Sequence, residues 1–477
     1  MCPGSDLTVM MIDARDSAAD LDRRADFIIV GAGIAGITLA LELAARHSVI
    51  LLESGGTEAD RETQSLYDGE SIGLNYSLLG SRLRFLGGTS NHWGGWCGML
   101  DDHDFATRDW VPHSGWPISS AELAPFQDKT ADILDLGSGN FETEELVARE
   151  DHALLVDGSK VTHRMMRFSN PVTRMGEKYR NALENTPGLS VLLHANLVDL
   201  RLHENGSTVN SGQVRTLNGR SGRITAKHFI LACGGLENAR LLLACRSQAR
   251  AGLGNDKGLV GRFFMEHPHV TAAELFALDQ SWCRGQMALR RDSDHWFGLA
   301  LAPTEESLAH HRCLNFRGQI FNVECETDEP ITLRVMMEQA PNPNSRLRLS
   351  GSEDALGLPK IELDWRLNEL DWHGIQCMGR LVGEALGAQG LGRVKLRNWV
   401  MEQDGSRIGF GSHHMGTTRM ADDPAAGVVD RNCRVFGTSN LFVAGSSVFA
   451  TGGAINPTFT LTALALRLAE HLTGLVR

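Results

Sequence analysis

The strongest constraint on the fold comes from residues 26–53. A short apolar run at 27–30 meets a glycine-rich turn, and apolar residues then recur with helical spacing before a second apolar run. The glycines of the turn are Gly31, Gly33 and Gly36. Short runs without polar residues are typical of strands buried on both faces of a parallel sheet. The stretch therefore predicts a strand, a glycine turn, a helix and a second strand.

This unit has the spacing of a dinucleotide-binding site. Gly31 permits the tight turn, Gly33 removes a side chain where a pyrophosphate must approach, and Gly36 lets the helix pack closely on the strand. The N–H groups at the start of the helix favour a phosphate. Glu53, at the end of the second strand, can accept hydrogen bonds from a ribose diol, although a solvated strand end is the alternative. The unit leaves both NAD and FAD open.

The composition indicates a globular protein without nucleic-acid partners. The 477 residues can bury a large core, and we expect two domains. The formal net charge of −12 offers no basic surface to a nucleic acid. The nine cysteines include no CxxC pair, so we expect reduced thiols and no metal centre. Residues 1–25 are interpreted as a loose leader and no long apolar run is present, which predicts a cytoplasmic protein without a membrane segment.

A second glycine-rich segment, residues 82–96, fits neither a helix nor an ordinary strand. It contains Gly88, Thr89, Asn91 and His92, with two tryptophans among small polar residues. Small residues allow a backbone to lie flat against a large planar ligand, so this segment is predicted to contact a cofactor. The alternative is a glycine-rich loop that carries two core tryptophans.

The pattern of the first unit is lost near residue 100 and returns near residue 188. Strand-like runs joined by Asn-Gly turns lead to a buried run at 229–231 that ends in two glycines. Strand-like pieces at 331–337, 346–349 and 361–365 then precede a helix predicted over 369–385.

We therefore predict an α/β fold in which the nucleotide domain is discontinuous and Rossmann-like, with an α+β substrate-binding domain. Two further helices are expected near 120–136 and 172–185. The predicted domains are 24–100, 188–269 and 410–477 for the nucleotide domain, and 101–187 and 270–409 for the substrate-binding domain.

The C-terminal part contains the residues best suited to chemistry. His413 and His414 are adjacent in the glycine-containing segment 411–418. A strand pattern at 441–444 follows and ends at Gly445.

The last helix is predicted over 459–472, and Asn456, Pro457 and Thr458 precede it. Proline suits the first helical position and asparagine the N-cap. Asn456 could therefore simply cap the N-terminus of the last helix, which is the structural alternative to a chemical role.

Six motifs in order along the chain resemble those of the glucose–methanol–choline (GMC) family of FAD-dependent oxidoreductases. They are Gly31-x-Gly-x-x-Gly36 with Glu53, Gly87-Gly88-Thr-Ser-Asn-His92-Trp93, Ala232-Cys-Gly-Gly-Leu-Glu-Asn-Ala239, Val260-Gly-Arg262 to Glu266-His267, His413-His-Met-Gly-Thr417, and Asn440-Leu-Phe-Val to Asn456-Pro-Thr458. The resemblance implies a GMC or p-hydroxybenzoate hydroxylase-like architecture, FAD in place of NAD, and an alcohol as hydride donor. The second motif and segment 341–346 are most similar to the pyranose-, fructose- and glucoside-oxidising branches.

The resemblance implies two catalytic residues. His413, the histidine of the HxxGT motif, would be the base, and Asn456 its partner; His414 is the alternative base. A neutral imidazole can take the hydroxyl proton as the hydride leaves for flavin N5, and an asparagine can hold the substrate oxygen in line. His267 and His269 flank a proline and are interpreted as structural rather than as a metal pair.

Further cofactor contacts are implied. His92 occupies the position that binds flavin covalently in the pyranose and choline oxidase branches, but other branches lack this bond, so we expect a structural hydrogen bond from His92, with covalent attachment as the alternative. The backbone of Leu197 would contact adenine, although a plain core leucine is equally consistent. Pro457 and Thr458 would direct N–H groups of the last helix at the flavin. Gly445 is expected beside the flavin, where the family commonly has an acidic residue.

The predicted function is FAD-dependent oxidation of an alcohol on a sugar, cyclitol or glycoside. Oxygen or an unknown carrier would be the electron acceptor. A flavin-containing lyase of the hydroxynitrile-lyase kind, in which the same histidine acts without net redox change, is the alternative. A nucleotide-binding or electron-transfer module without its own substrate is a third hypothesis.

Overall fold

The computed structural model describes residues 10–142, 158–278, 289–292, 295–321 and 331–476. The strands are β1 Met10–Asp13, β2 Arg23–Val30, β3 Val49–Leu52, β4 Gly69–Ser71, β5 Trp96–Cys97, β6 Val161–Phe168, β7 Leu189–Leu193, β8 Asn196–Leu202, β9 Val209–Arg215, β10 Ser221–Leu231, β11 Pro268–Ala277, β12 Arg290–Asp292, β13 His295–Pro303, β14 Phe316–Phe321, β15 Ile331–Met337, β16 Arg346–Glu353, β17 Pro359–Asp364, β18 Gly392–Leu396, β19 Gly409–Phe410 and β20 Leu441–Val443. The helices are α1 Ile34–Ala44, α2 Arg61–Ser65, α3 Asp102–Phe105, α4 Gln127–Ile133, α5 Met175–Lys178, α6 Arg180–Asn185, α7 Gly234–Ala244, α8 Glu305–His311, α9 Glu369–Ala388, α10 Asn398–Met401 and α11 Thr458–Leu475. Short 3₁₀ turns lie at Gly88–Asn91, Ser120–Glu122, Ala124–Phe126, Gly405–Arg407 and Ser446–Val448.

The first sheet is parallel over most of its width. Its order is β1-β7-β3-β2-β10, and β20 also lies parallel to β10. β9 and β8 extend it as an antiparallel meander, because the long strand β10 pairs with β9 along its first half and with β2 along its second. The strand, glycine turn, helix and strand predicted for 26–53 are confirmed as β2, α1 and β3. The run at 27–30 is at most 5% exposed, as expected for an interior parallel strand.

Helix α1 lies close to β2 because Gly36 has no side chain. A Cβ atom at Gly36 would lie 1.8 Å from the carbonyl oxygen of Gly31 and 3.6 Å from the Cβ of Ala232. At Gly33, by contrast, no atom lies within 4 Å of the position a Cβ would take. The two glycines therefore serve different purposes: one allows packing and the other leaves open space.

The second sheet is antiparallel, with the order β18-β11-β15-β14-β13-β6-β5. β12 pairs with β13, and β19 pairs with the start of β11. Helix α9 packs against β18 and is capped by Asn368, whose side chain accepts hydrogen bonds from the N–H groups of Leu370 and Asp371. The strand predicted at 331–337 and the helix predicted from residue 369 are confirmed, and the helix continues to Ala388. β16, β17 and β4 form a third, small sheet.

The two large sheets agree with the predicted mixed α/β fold. The parallel sheet takes its described strands from 10–52, 189–231 and 441–443, so it is assembled from separated parts of the chain. The domain boundaries themselves stay a prediction. Among the described helices, none combines the length and the apolar character that crossing a bilayer requires.

Residues 10–25 are not a loose leader, so that expectation was wrong for the part of it that the structure describes. β1 forms the edge of the parallel sheet, with Met11 opposite Val191 and Ile12 opposite Leu192. Ala14 is fully buried, and β2 already begins at Arg23. Main-chain pairing at a sheet edge orders this segment, and the short apolar run at residues 10–12 was the local signal for it.

Two helices predicted in the middle of the chain are shorter than expected. The region 120–136 contains two 3₁₀ turns before α4, because Pro125 lies at the start of the second turn. The region 172–185 divides at Tyr179 into α5 and α6.

The capping role expected for Asn456 was wrong. The last helix begins at Thr458, and Pro457 occupies the N-cap position without a side-chain cap. Asn456 therefore lies outside the helix, and its amide is free to bind elsewhere.

We expect Gly36→Ala to destabilise the apoprotein by about 3 kcal/mol, because the added methyl overlaps the carbonyl of Gly31. Gly33→Ala, whose methyl would enter open space, serves as the matched control and should change stability by less than about 0.5 kcal/mol. Urea unfolding of flavin-free protein measures both. Equal stability of the two variants would contradict the packing role of Gly36.

Candidate active site

A cavity of about 530 Å³ opens between the glycine turn, the segment 88–96, the segment 411–414 and the start of α11. Most of the residues predicted from the sequence to form the site line it. They are Gly31, Gly33, Glu53, Gly88, Thr89, His92, Leu197, His413, Gly445, Asn456, Pro457 and Thr458. The structure does not bring Gly36 and Asn91 into the wall.

The glycine turn forms one end of the cavity. Gly31 adopts a φ of +102°, and the open space at Gly33 lies directly before α1. The carboxylate of Glu53 accepts hydrogen bonds from the N–H groups of Ala32 and Gly55, both at 2.9 Å. Burial raises the pKa of Glu53, while these donors lower it. Glu53 therefore fixes the turn, and its contact with a ribose stays a prediction.

Leu197 has two roles that the sequence could not separate. It lies in the cavity wall, yet its side chain also packs in the core. There its Cδ1 lies 2.7 Å from the position that a Cβ of Gly212 would take, so the two residues are in close contact. The core interpretation is therefore correct for the side chain. Contact between its backbone and adenine stays a prediction.

Contacts outside the cavity hold the segment 88–91 in place. Gly88 has a φ of +53°, and a Cβ there would lie 3.2 Å from the Cα of Gly33. The side-chain amide of Asn91 donates to the carbonyl oxygens of Leu86 and Gly88, both at 3.0 Å. Asn91 thus shapes the loop rather than facing the cavity.

The aromatic residues after this segment face the cavity. His92 is exposed, and among the described residues only its backbone N–H, bonded to Thr89 at 3.2 Å, is paired, so the structural hydrogen bond expected for its ring is not found. Trp93 and Trp96 are half-buried, and both line the cavity. Each also packs against a buried hydrophobic cluster, so the two interpretations of this loop both hold in part.

The start of α11 forms the opposite wall. Pro457 and Thr458 lie there beside Asn456, so the positive end of this helix faces the cavity. Gly445 has a φ of +108°, a conformation that disfavours every side chain. The resemblance led us to expect a position where an acidic residue is common. Here the chain has a glycine, in a backbone conformation that other residues rarely adopt.

A buried carboxylate holds the backbone of His413. Glu266 accepts hydrogen bonds from the N–H groups of Gly411, His413 and His267, at 3.2, 2.9 and 2.8 Å. The hydroxyl of Tyr76 also donates to it, at 2.5 Å. Burial raises the pKa of Glu266 to about 7, although the donors lower it. The carboxylate therefore fixes the loop that carries His413.

The hydrogen-bond partners fix which nitrogen of each ring carries a hydrogen. The Nε2 atom of His267 lies 3.2 and 3.0 Å from the carbonyl oxygens of Gly452 and Gly453, which can only accept, so Nε2 is the protonated nitrogen. Burial lowers the pKa of His267 to about 4, so the ring is neutral and its Nδ1 is bare. The Nδ1–H of His413 donates to that atom at 2.8 Å.

The Nε2 atom of His413 is therefore the bare nitrogen. Burial, followed by the neighbouring histidines, holds the pKa of His413 well below its usual value, so the ring is neutral. The side-chain Nδ2 of Asn456 donates to this Nε2 at 3.1 Å. The opposite amide orientation would place two acceptors against each other. The Oδ1 atom of Asn456 is buried and has no partner among the described residues.

His414 also lines the cavity, but its ring packs among aromatic side chains. Its ring meets the ring of Tyr76 edge-on at 5.6 Å and lies 6.2 Å from Phe264. Burial lowers its pKa to about 3, and its Nε2 has no partner among the described residues. The structure therefore brings His413, and not His414, to Asn456.

Three residues of this site were missed or underrated by sequence reasoning: Glu266, His267 and His269. The motif that contains Glu266 and His267 was recognised, but their roles depend on contacts with a loop almost 150 residues later. Two backbone hydrogen bonds between Met265 and Met415 align the segments. A carboxylate–histidine pair directly before a strand was the available signal.

One described group of side chains has the spacing of metal ligands. Asp101, His103 and Asp104 present ligand atoms within 4.8 Å of one another. However, the Nδ2 of Asn315 lies 3.2 Å from Asp101 and 3.0 Å from His103, and Arg317 pairs with Asp101 at 2.5 Å. An amide and a guanidinium fill the positions of a cation, so we assign no metal there.

Comparisons with known proteins agree with this geometry. A family model described as GMC oxidoreductase matches residues 341–465. Paromamine 6'-oxidase of Streptomyces fradiae is 25% identical over an alignment that covers 97% of this chain and 93% of that protein. A 2-methyl-1,2-propanediol dehydrogenase of Mycolicibacterium austroafricanum is also 25% identical, with 94% and 95% covered. A formate oxidase structure has the same fold, with a TM-score of 0.61 at 18% identity over 96% of this chain and 99% of that chain.

The residues present fit an FAD. Open space at Gly33 before α1 suits a pyrophosphate, Glu53 and Leu197 suit an adenosine, and the start of α11 suits the pyrimidine end of a flavin. The family match shows a GMC oxidoreductase C-terminal domain at residues 341–465, and the shared fold and this cradle agree with the similarity of the whole chain to FAD-dependent enzymes of that kind.

Proposed function

We propose that the protein oxidises an alcohol group of a sugar, cyclitol or glycoside. The observation that carries the proposal is the bare Nε2 of His413, held beside Asn456 in the wall of the cavity that also contains the glycine turn. When bound, FAD supplies the atom that accepts the hydride.

His413 is prepared to accept a hydroxyl proton. Its lowered pKa keeps the ring neutral at physiological pH, so a lone pair is always present on Nε2. A substrate hydroxyl that donates to Nε2 can transfer its proton there while the carbon loses a hydride. The hydrogen on Nδ1 stays bonded to His267 throughout.

Asn456 orients the substrate oxygen without titrating. Its Nδ2–H donates to Nε2 of His413, and a substrate oxygen would replace this direct bond by accepting from Asn456 and donating to His413. Because both side chains already lie next to each other in the cavity wall, only a small shift is needed to bind that oxygen. The first N–H groups of α11 lie beside Asn456, where the positive end of the helix stabilises negative charge.

Two features support a sugar-like substrate. Trp93 and Trp96 line the cavity and present flat apolar surfaces, on which the C–H face of a sugar ring can pack. Two of the relatives are named as a paromamine 6'-oxidase and a 2-methyl-1,2-propanediol dehydrogenase.

We expect a panel of sugars, cyclitols and simple alcohols, mixed with the holoenzyme without oxygen, to include members that bleach the visible flavin absorbance. Recovery of the colour on admitting air identifies oxygen as an acceptor. His413→Ala should slow bleaching by about a hundredfold or more, the usual contribution of a general base.

His414→Ala is the matched control: it should lower thermal stability, because the ring packs on Tyr76, but leave the bleaching rate nearly unchanged. Flavin that stays oxidised while a cyanohydrin is consumed would support the lyase alternative and contradict the proposal.

We expect His267→Phe to slow flavin reduction by roughly ten- to hundredfold, because the hydrogen of His413 is then free to move to Nε2. His267→Gln should recover part of the rate, since its amide can accept from His413 and donate to the carbonyl of Gly453. Anaerobic stopped-flow absorbance measures the rates, and flavin content verifies folding. Equal losses in the two variants would assign His267 a packing role only.

The rate of flavin reduction should fall as the pH falls through about 7, because Glu266 then takes a proton and can no longer accept all of its donors. His413 contributes no limb in this range, since its pKa lies well below its usual value. Glu266→Gln should give a slower rate without this limb. The raised pKa also means that the contribution of Glu266 to folding stability is lost as the pH rises from about 4.5 to 7.

A limb near pH 7 that persists in Glu266→Gln would contradict this assignment. The rate is measured at saturating substrate, and thermal unfolding across the same pH range tests the opposite trend in stability.

A further inference from the structure

We propose that a surface groove outside the catalytic cavity binds the phosphate group of a small anion. The groove has a volume of about 240 Å³, and four of the residues that line it are arginines: Arg246, Arg262, Arg346 and Arg348. None of the four lines the cavity that contains His413. The inference therefore goes beyond the proposed function and does not depend on it.

The groove concentrates positive charge on a protein with an excess of acidic residues. The chain has 58 Asp and Glu residues against 46 Lys and Arg residues, yet none of the described residues that line the groove is a carboxylate. Two carboxylates of β17 adjoin it, with Glu362 opposite Arg348 and Asp364 opposite Arg346 in the strand pairing. The arginines of the groove thus outnumber the carboxylates beside it, which favours an anionic ligand.

The close approach of two segments brings three of the arginines together. Gly261 has a φ of +83°, and its carbonyl oxygen accepts the N–H of Leu347 at 2.7 Å. A Cβ at Gly261 would lie 2.5 Å from the carbonyl oxygen of Leu347, so a side chain there would push the segments apart. Arg262 follows Gly261, and Arg346 and Arg348 flank Leu347 in β16. The backbone therefore fixes these positions before any ligand binds, which lowers the cost of binding.

Backbone carbonyls, and not carboxylates, hold two of the guanidinium groups. Arg262 donates from Nε to the carbonyl of Gly258 at 2.8 Å and from Nη1 to that of Pro343 at 3.1 Å. Arg246 donates from Nε to the carbonyl of Leu243 at 3.0 Å. A carbonyl engages a donor without neutralising the charge, and a guanidinium has five N–H donors. Both side chains are therefore oriented while keeping charge and donors for a ligand.

Arg346 is the least compensated of the four arginines. No described residue forms an ion pair with its guanidinium, because Asp364 instead binds Arg366 at 2.7 Å and Arg348 at 3.5 Å. Burial lowers the pKa of Arg346, and the neighbouring Arg348 and Arg262 lower it further. Like charges held close together cost free energy, which an anion in the groove would recover.

The chemistry of the groove suits a phosphate. A guanidinium presents a planar fork of donors that matches two phosphate oxygens, and a doubly charged anion suits several arginines better than a single negative charge does. The volume of about 240 Å³ is below the roughly 300–1,000 Å³ of cavities that enclose whole drug-sized ligands. The groove therefore fits inorganic phosphate, pyrophosphate or the phosphate end of an ester.

The test is isothermal titration calorimetry of the FAD-loaded protein with phosphate, pyrophosphate and methyl phosphate, at a constant ionic strength set with sodium chloride. Bound FAD keeps these probes out of the nucleotide-binding cavity, and methyl phosphate has no alcohol group to oxidise. We expect pyrophosphate to bind and to raise the melting temperature increasingly with its concentration. Tighter binding of phosphate and pyrophosphate supports a free anion as the ligand, and tighter binding of methyl phosphate supports an ester.

Arg346→Gln and Arg348→Gln should each raise the dissociation constant of pyrophosphate about tenfold or more, because each removes charge-assisted hydrogen bonds. Without phosphate, Arg346→Gln should not lower the melting temperature, since it removes repulsion. Arg348 is exposed, so its variant keeps the test decisive if Arg346→Gln folds poorly. Arg46→Gln, which removes an exposed arginine outside the groove, is the matched control and should leave binding unchanged.

A dissociation constant that is the same in the wild type and in both groove variants would overturn the proposal, because the anion would then bind elsewhere. Equal thermal shifts with sodium chloride at the same ionic strength would reduce the effect to general screening and overturn it as well. A phosphate-free Arg346→Gln protein that melts below Arg46→Gln would assign Arg346 to folding, against the proposal. Flavin reduction is not measured, so failure of the proposed function leaves this test intact.

Discussion

The geometry of the site depends on one buried carboxylate. Glu266 precedes β11 of the antiparallel sheet, and it gathers the N–H groups of Gly411 and His413 from a loop far along the chain. It also binds the N–H of its neighbour His267, so the backbones of both imidazole-bearing segments meet on one group. Because the carboxylate contacts backbone and leaves the imidazole of His413 alone, it fixes position without placing a negative charge on the base.

A second set of contacts decides which nitrogen of each imidazole carries a hydrogen. The carbonyls of Gly452 and Gly453 decide that His267 holds its hydrogen on Nε2, and this choice passes through His413 to the bare nitrogen beside Asn456. The loop that bears these carbonyls is itself tied down, because the hydroxyl of Thr451 donates to the carbonyl of Asp104 at 2.5 Å. The state of the base is therefore set by backbone atoms, which cannot titrate.

The sequence predicted those parts of the molecule whose signal is local. The unit of β2, α1 and β3 follows from apolar runs and glycine spacing, and the placement of His413 and Asn456 in one site followed from motif resemblance. The role of His267 was not predicted, because a neighbour 146 residues away decides it and no periodicity encodes that distance. Asn91 illustrates the opposite case. A polar residue in a cofactor loop suggested a contact, but its amide is used by the loop's own carbonyls.

The uncharged surroundings of His413 have a consequence for turnover. The wall beside it consists of two further histidines whose pKa values burial lowers to about 4, and none of the described carboxylates hydrogen-bonds its ring. An imidazolium formed there by taking the hydroxyl proton is poorly solvated, so it is stable only while negative charge lies close by. The positive end of α11 and the protonated ring of His413 would then both stabilise negative charge in the cavity. Without negative charge nearby, the same lack of solvation would favour loss of the proton and return of the neutral base. The protonation of His413 would therefore be coupled to the charge held in the cavity.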